Sequence, residues 1–166
     1  MDELRVASDR KTHGQSMGHQ KNPDVEIKTD GSARLVIIRG LPGSGKSTMA
    51  SVLKLLGYKH FEADMFFVGK DGVYRHDSAR IKDAHAWCQS EVRGALMKGQ
   101  RVVVCNTFTQ PWEMQPYFNM RVSVQIFEAG GNWINQHGVP MDKVSAMRDR
   151  WEPLPSSYAC ARWIAQ

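Results

Sequence analysis

The sustained apolar pattern of the chain begins at Leu35. Leu35-Val36-Ile37-Ile38 is a continuous apolar run between Arg34 and Gly40, the signature of a strand covered on both faces. Residues 46–56 then carry Met49, Val52, Leu53 and Leu56 at helical spacing, and Gly57 ends the helix. Residues 58–62 read as a second short strand. From Ser78 to Lys98 a long helix is predicted, with Ile81, Ala84, Cys88, Val92 and Leu96 as its apolar stripe and Gly99 past its end. Val102-Val103-Val104 is another buried strand, and Pro111 opens a short helix reaching about Tyr117. Val122, Val124 and Ile126 alternate with Ser123 and Gln125, as in a half-exposed strand, and residues 141–151 form a last helix. Strands alternating with helices predict an α/β fold with a mostly parallel sheet. Right-handed crossovers then gather the C-terminal ends of the strands on one edge, where ligands bind.

Residues 1–33 stand apart. They hold no aromatic residue, and Leu4, Val6, Val25 and Ile27 are their main apolar side chains. Such a stretch buries too little surface to offset its ordering entropy. It is expected to be a mobile tail with one short strand near residues 25–27, leaving residues 34–166 as the folded domain. No apolar run approaches the roughly 20 residues that span a bilayer, which excludes a membrane-embedded protein. Residues 1–10 are rich in charge without an apolar block, so no secretory signal is expected. Cys88, Cys105 and Cys160 are unclustered and odd in number, against a disulfide framework or zinc site and for a reducing, cytoplasmic compartment. The net charge of +5 suits a polyanionic partner without requiring one.

Gly40-Leu41-Pro42-Gly43-Ser44-Gly45-Lys46-Ser47-Thr48 matches G-x-x-x-x-G-K-[ST] in full. The glycines let backbone amides approach phosphate oxygens, and the following helix N-terminus favours the anion. Lys46 is positioned for the β- and γ-phosphates, and Ser47 offers its hydroxyl to magnesium. The motif lies between a predicted strand and a predicted helix, the context it needs. ATP or GTP binding follows as the strongest functional reading.

A nucleotide switch or motor carries an Asp at the end of a later strand, whereas Val102-Val103-Val104 runs into Cys105-Asn106-Thr107. No guanine-reading N-K-x-D is evident. An acid instead follows the second strand, in Phe61-Glu62-Ala63-Asp64. Facing the phosphate loop, Asp64 could take the proton of an attacking hydroxyl, an effect of about 10²–10⁴-fold. The alternative for Asp64 is a helix cap or a plain loop acid. His85 reads as a structural histidine and Trp87 and Trp112 as packing anchors. Cys88 and Cys105 read as small buried hydrophobes. His13 and His19 are too isolated for a metal site, and the aromatic residues Tyr158 and Trp163 suggest that the C-terminal tail docks on the core.

The residues also carry a resemblance. Residues 39–48, Ala84-His85-Ala86-Trp87-Cys88-Gln89, the stretch Asn106-Thr107-Phe108-Thr109-Gln110-Pro111-Trp112-Glu113-Met114-Gln115-Pro116-Tyr117, His137-Gly138-Val139-Pro140 and Met147-Arg148-Asp149-Arg150-Trp151-Glu152 resemble the polynucleotide-kinase-like group, including the Nedd4-binding-protein-2-like kinase domains. The resemblance runs from about Arg34 to Glu152. It implies a three-layer P-loop kinase fold with a mostly parallel five-stranded sheet. It implies ATP, bound by Gly40, Pro42, Gly43, Ser44, Gly45, Lys46, Ser47 and Thr48, with magnesium on Ser47. It implies transfer of the γ-phosphate to a nucleic-acid hydroxyl, DNA first, with Asp64 as general base and Asn106 and Thr107 on the acceptor side. No membrane and no obligate protein partner are implied.

The departures are specific. The second acid of the group's motif is Met65 here. Phe67 stands where polynucleotide kinases have an acceptor-phosphate arginine, and Phe108 stands for an asparagine. Ile134-Asn135 replaces Arg-Asn before His137, so one lid arginine is missing and Arg148, Arg150 or Arg121 would supply the transition-state cation. With Phe67 and Phe108 lining the acceptor pocket, a flipped, modified base becomes an acceptor. Phage kinases of this resemblance phosphorylate 5-hydroxymethyluracil in DNA, and this is the leading expectation ahead of a polynucleotide 5′-hydroxyl. A small-molecule kinase (nucleoside, sugar or antibiotic) and a non-catalytic nucleotide-binding module are the alternatives.

Overall fold

The computed structural model describes residues 25–132, 138–158 and, as backbone, 160–163. Strand β1 (Leu35–Arg39) runs through the glycine-rich loop into helix α1 (Lys46–Leu55). Strand β2 (Lys59–Phe61) leads into a 3-10 turn over Ala63–Phe67. A further 3-10 turn, Ser78–Arg80, opens helix α2 (Ile81–Met97), which returns as β3 (Val102–Asn106). A 3-10 turn over Pro111–Met114 continues as the short helix α3 (Gln115–Phe118), followed by β4 (Val124–Ala129), α4 (Met141–Asp149) and β5 (Cys160–Trp163).

The strands stand in the order β2-β3-β1-β4-β5, and every pairing is parallel. β1 lies in the middle, with Leu35 opposite Val102 and Val124, and Arg39 opposite Asn106 and Glu128. Being flanked on both sides and covered on both faces, all its residues are buried, as its unbroken apolar run requires. Leu35 and Ile37 join Ala84, Cys88, Val92, Tyr117 and Phe118 on the α2 and α3 face. Val36 and Ile38 join Ala50, Val103 and Cys105 on the α1 face. The result is three layers, helix–sheet–helix.

Three details differ from the sequence pattern. α1 buries Ala50 and half-covers Met49 and Leu53, while Val52 and Leu56 of the expected stripe face outward, as does Leu55. Ile81 is likewise exposed at the head of α2, because the first turn overhangs the cleft and Ala95 takes a core place instead. The alternation over residues 122–126 predicts a half-exposed strand, but β4 begins at Val124 and Gln125 is buried, because β1 and β5 flank it.

Of the expected N-terminal tail, residues 1–24, with His13 and His19, lie outside the described residues. The short strand expected near residues 25–27 is a single bridge between Ile27 and Val124. At the other end Tyr158 stacks on Phe118 at 5.2 Å, returning the tail to the core. Among the described residues no helix is long and apolar enough to cross a membrane.

Candidate active site

The site opens at the C-terminal edge of β1, where the strand order reverses between β3 and β4. Gly43 and Gly45 take φ of 78° and 92°, left-handed conformations that let the loop curl into the start of α1. A Cβ on Gly40 would sit 2.3 Å from Ser44 Oγ and 2.8 Å from the Ala129 carbonyl, so only glycine closes that corner. Lys46 Nζ donates to the carbonyls of Gly40 and Leu41 at 2.8 and 2.9 Å. Burial lowers its pKa, and the nearby Cys105, Glu62 and Asp64 oppose that shift. Ser44 is buried behind the loop and does not line the cleft; its Oγ has no hydrogen-bond partner. Ser47 and Thr48 face outward into the same cleft. The amide of Gly131, after β4, donates to the Ser44 carbonyl at 3.1 Å and fixes the far wall of the loop.

The acid wall comes from β2 and the turn after it. Asp64 lies in the first turn of Ala63–Phe67 and lines the cleft together with Glu62 and Lys46. Asn106, at the end of β3, accepts from the Ala63 amide at 2.9 Å and directs its amide nitrogen to Cys88 Sγ at 3.9 Å. That side chain borders the cleft, with its oxygen on the turn that carries Asp64 and its nitrogen on α2. Tyr74 Oη donates to Asp64 Oδ1 at 3.4 Å and lies 3.3 Å from His76 Nδ1. Burial, with the charge of Asp64 beside it, raises the Tyr74 pKa. A small hairpin closed by the Val68–Tyr74 bridge and the Arg75–Asp71 ion pair (2.6 Å) holds Tyr74 there.

Phe67 and Phe108 border the cleft but are buried in the core. The Phe67 ring meets Phe66, Tyr74 and His76 at 5.4, 6.2 and 5.0 Å, and Phe108 meets Tyr117 edge-on at 5.6 Å. The expectation that these two rings offer faces to a base is therefore corrected: both are already packed. Phe108 also holds φ of 47°, a left-handed conformation that costs a bulky residue about 1–2 kcal/mol and that asparagine would adopt more easily. Phe66 packs on Trp87, with the Arg80 guanidinium 4.7 Å above it. Exposed rings on the cleft are instead those of Tyr74, His76, His85 and Trp112.

The opposite wall carries the cations. Arg150 and Lys143 line the cleft, and Arg150 Nε donates to Thr109 Oγ1 at 3.2 Å; Arg148 does not line it. Arg121 precedes β4 and so lies at the N-terminal edge of the sheet, away from the phosphate loop. Thr107 borders the cleft and its carbonyl accepts from Gly40. The buried Arg39 ties this wall down, with Nη2 donating to the carbonyls of Thr109 (3.2 Å) and Glu152 (2.8 Å) and its guanidinium over Trp151 at 3.9 Å. His85 is exposed on the cleft rather than structural, because its turn of α2 faces outward. Ile134, Asn135 and His137 lie outside the described residues. The cleft measures about 1370 Å³, above the roughly 300–1,000 Å³ of a pocket for one small ligand and large enough for a nucleotide with a second substrate. Among the described residues no three His, Cys, Asp or Glu side chains converge on a metal position.

Sequence analysis did not single out Tyr74, His76, Lys82 or Lys143. Tyr74 and His76 sit in a polar loop without periodicity, and the two lysines read as ordinary solvated helix positions.

Comparison with known proteins agrees with this geometry. The family model described as "AAA domain" (AAA_33) matches residues 35–126. Human NEDD4-binding protein 2 is 30% identical over 139 residues, an alignment covering 74% of this chain and only 8% of that protein's length. Among solved structures, a sugar kinase from Janibacter sp. HTCC2649 superposes with a TM-score of 0.54 at 15% identity, covering 80% of this chain and 85% of that one. Chaetomium thermophilum Kti12 in complex with ADP-AlF3 does so with a TM-score of 0.54 at 15% identity, covering 79% and 88%.

Proposed function

We propose a function from one premise: the chain belongs to the AAA domain family matched over residues 35–126, with a P-loop kinase-like nucleotide-binding fold. On that premise it is an ATP-dependent phosphotransferase whose acceptor is a hydroxyl group on a nucleic acid. The observation that carries the reading is the convergence of Asp64 and the phosphate cradle on one cleft, with one Asp64 oxygen engaged by Tyr74. Nucleotide phosphates would lie on the amides of residues 40–48. Lys46 would exchange the carbonyls of Gly40 and Leu41 for phosphate oxygens. Magnesium, held through Ser47, would neutralise phosphate charge.

Asp64 accepts the proton as the acceptor oxygen forms its bond to the γ-phosphorus, and the bond to the β-phosphate oxygen breaks to release ADP. Tyr74 positions the carboxylate and leaves its other oxygen for the substrate. Asn106 acts through the Ala63 amide as a positioning residue. Arg150 is the better-placed of the candidate cations, because it lines the cleft and Arg148 does not.

The cations Lys82, Lys143 and Arg150 on one cleft and the net charge of +5 support the nucleic-acid acceptor. The buried Phe67, at the position of an acceptor-phosphate arginine in end kinases, favours a hydroxymethyl group such as that of 5-hydroxymethyluracil in DNA over a 5′-hydroxyl end. The test offers γ-labelled ATP with two DNAs, one with free 5′-hydroxyl ends and one with blocked ends and internal 5-hydroxymethyluracil. Label on the second alone supports the base-directed reading, and label on the first alone makes the protein an end kinase. Label on neither, with turnover on small alcohols or sugars, overturns the nucleic-acid acceptor.

A further inference from the structure

Trp112 sits at the mouth of the cleft with 66% of its surface exposed. An indole left in water forgoes a large burial gain, so its setting bears on what covers it. The side chain is held in place: its Nε1–H donates to Gln110 Oε1 at 3.0 Å. Gln110 Nε2 in turn donates to Glu152 Oε1 at 2.7 Å, and the Gln110 amide donates to Glu113 Oε2 at 3.3 Å. Pro111 stiffens the turn between them. Among the described residues no other aromatic ring lies against the indole. The ring is thus oriented through its polar edge, with its apolar surface left open.

Lys82, Lys143 and Arg150 line the same cleft, as do the acids Glu62, Asp64 and Glu113. The nearby acid Glu113 is turned inward, toward the Gln110 amide and Thr109 Oγ1 at 3.3 and 3.5 Å. Trp112 follows β3, the strand between β2, which leads to Asp64, and β1, which leads to the cradle. It therefore belongs to the acceptor half of the cleft.

We infer that Trp112 is a stacking platform for an unpaired nucleobase of the acceptor strand, adjacent to the nucleotide whose hydroxyl is phosphorylated. The inference rests on the nucleic-acid reading above and adds a subsite to it. A planar, rigid, exposed ring beside cations is the composition by which proteins hold single strands, the ring taking the base and the cations the phosphates.

The test measures binding of single-stranded oligodeoxynucleotides, by fluorescence anisotropy, to the full chain and to Trp112→Ala and Trp112→Phe. Each oligonucleotide is made in an intact form and with single abasic sites stepped along it. Wild type is expected to lose about ten- to hundredfold in affinity at one abasic position. Trp112→Ala is expected to lose a similar factor on the intact strand and to be indifferent to that abasic site. Trp112→Phe should keep most of the preference, and ATP affinity and the salt dependence of binding should match wild type in both variants. Equal binding of the intact strand by wild type and Trp112→Ala overturns the platform and leaves the proposed function standing. A weakened ATP affinity in Trp112→Ala with unchanged oligonucleotide binding overturns it in favour of an adenine contact. Wild type that neither binds nor phosphorylates any oligonucleotide overturns the proposed acceptor itself, and the platform with it.

Discussion

At the phosphate end of the cleft, contiguous backbone forms the site, with residues 40–48 curling round amides that converge on one point. At the acceptor end, side chains from separate elements meet: Asp64 after β2, Tyr74 on the hairpin, Asn106 at the end of β3, Trp112 beyond it and Arg150 after α4. A backbone-built site needs particular residues at fixed spacing and leaves a motif. A side-chain-built site needs only that distant positions come together, and its residues look ordinary where they stand. The largest expected effects test the first kind, and the smaller ones the second.

Lys46→Ala should reduce phosphate transfer by about 10³-fold or more, because no other described cation reaches the Gly40 and Leu41 carbonyls where Lys46 now sits. Steady-state turnover with labelled ATP measures it, and transfer within tenfold of wild type would remove the lysine from the chemistry. Asp64→Asn should lower kcat by about 10²–10⁴-fold while ATP affinity by calorimetry changes less than about twofold. A normal kcat in that variant would return Asp64 to the role of a loop acid.

That contrast explains what could be read before the fold was known. The continuous apolar runs at Leu35 and Val102 fit strands covered on both faces, and they lie side by side within the sheet. The phosphate loop was legible residue by residue, since its chemistry is local. The acceptor wall was not. Phe67 and Phe108 stood out because they replace polar residues of a related motif, yet sequence cannot say which ring faces are already packed, and both are. Trp112 and His85 read as packing residues because an aromatic near a proline or beside an apolar stripe usually is one. Here their turns overhang an open cleft. Arg39 carried no signal beyond its place before the motif, although it joins β1 to the Thr109 and Glu152 carbonyls.

Tyr74→Phe sharpens the comparison on the acceptor side. It removes one hydroxyl that donates to Asp64 and leaves the ring packed on Phe67. A single charge-assisted bond, long at 3.4 Å, supports a loss of about tenfold in kcat. The KM for ATP should stay within about twofold, because the hydroxyl's contacts to Asp64 and His76 lie on the acid wall rather than on the phosphate loop. A matching loss in ATP affinity would mean that the hairpin supports the whole cleft rather than the base alone.

The smallest effect concerns the strand that leads to Asp64. His60 lies on β2, with its ring partly withdrawn from water beside Lys54, and its pKa is lowered to about 4, burial being the larger cause and Lys54 the smaller. Glu62 Oε2 stands 3.9 Å from its Nε2. The folded state holds the ring neutral, while the unfolded chain takes up a proton near the ordinary value of 6.5. Stability from this group is therefore complete above that ordinary value. It falls as pH drops from about 6.5 toward about 4, where the folded form also protonates. After discounting for residual solvent contact the loss is on the order of 1–2 kcal/mol. His60→Leu should flatten the decline of Tm between pH 7.5 and 5 relative to wild type, measured by thermal melts at both. Because β2 orients the turn carrying Asp64, wild-type activity should keep its ATP affinity over the same interval while transfer weakens. Parallel Tm curves for the two proteins would show that carboxylates elsewhere, not His60, set the acid limb of stability.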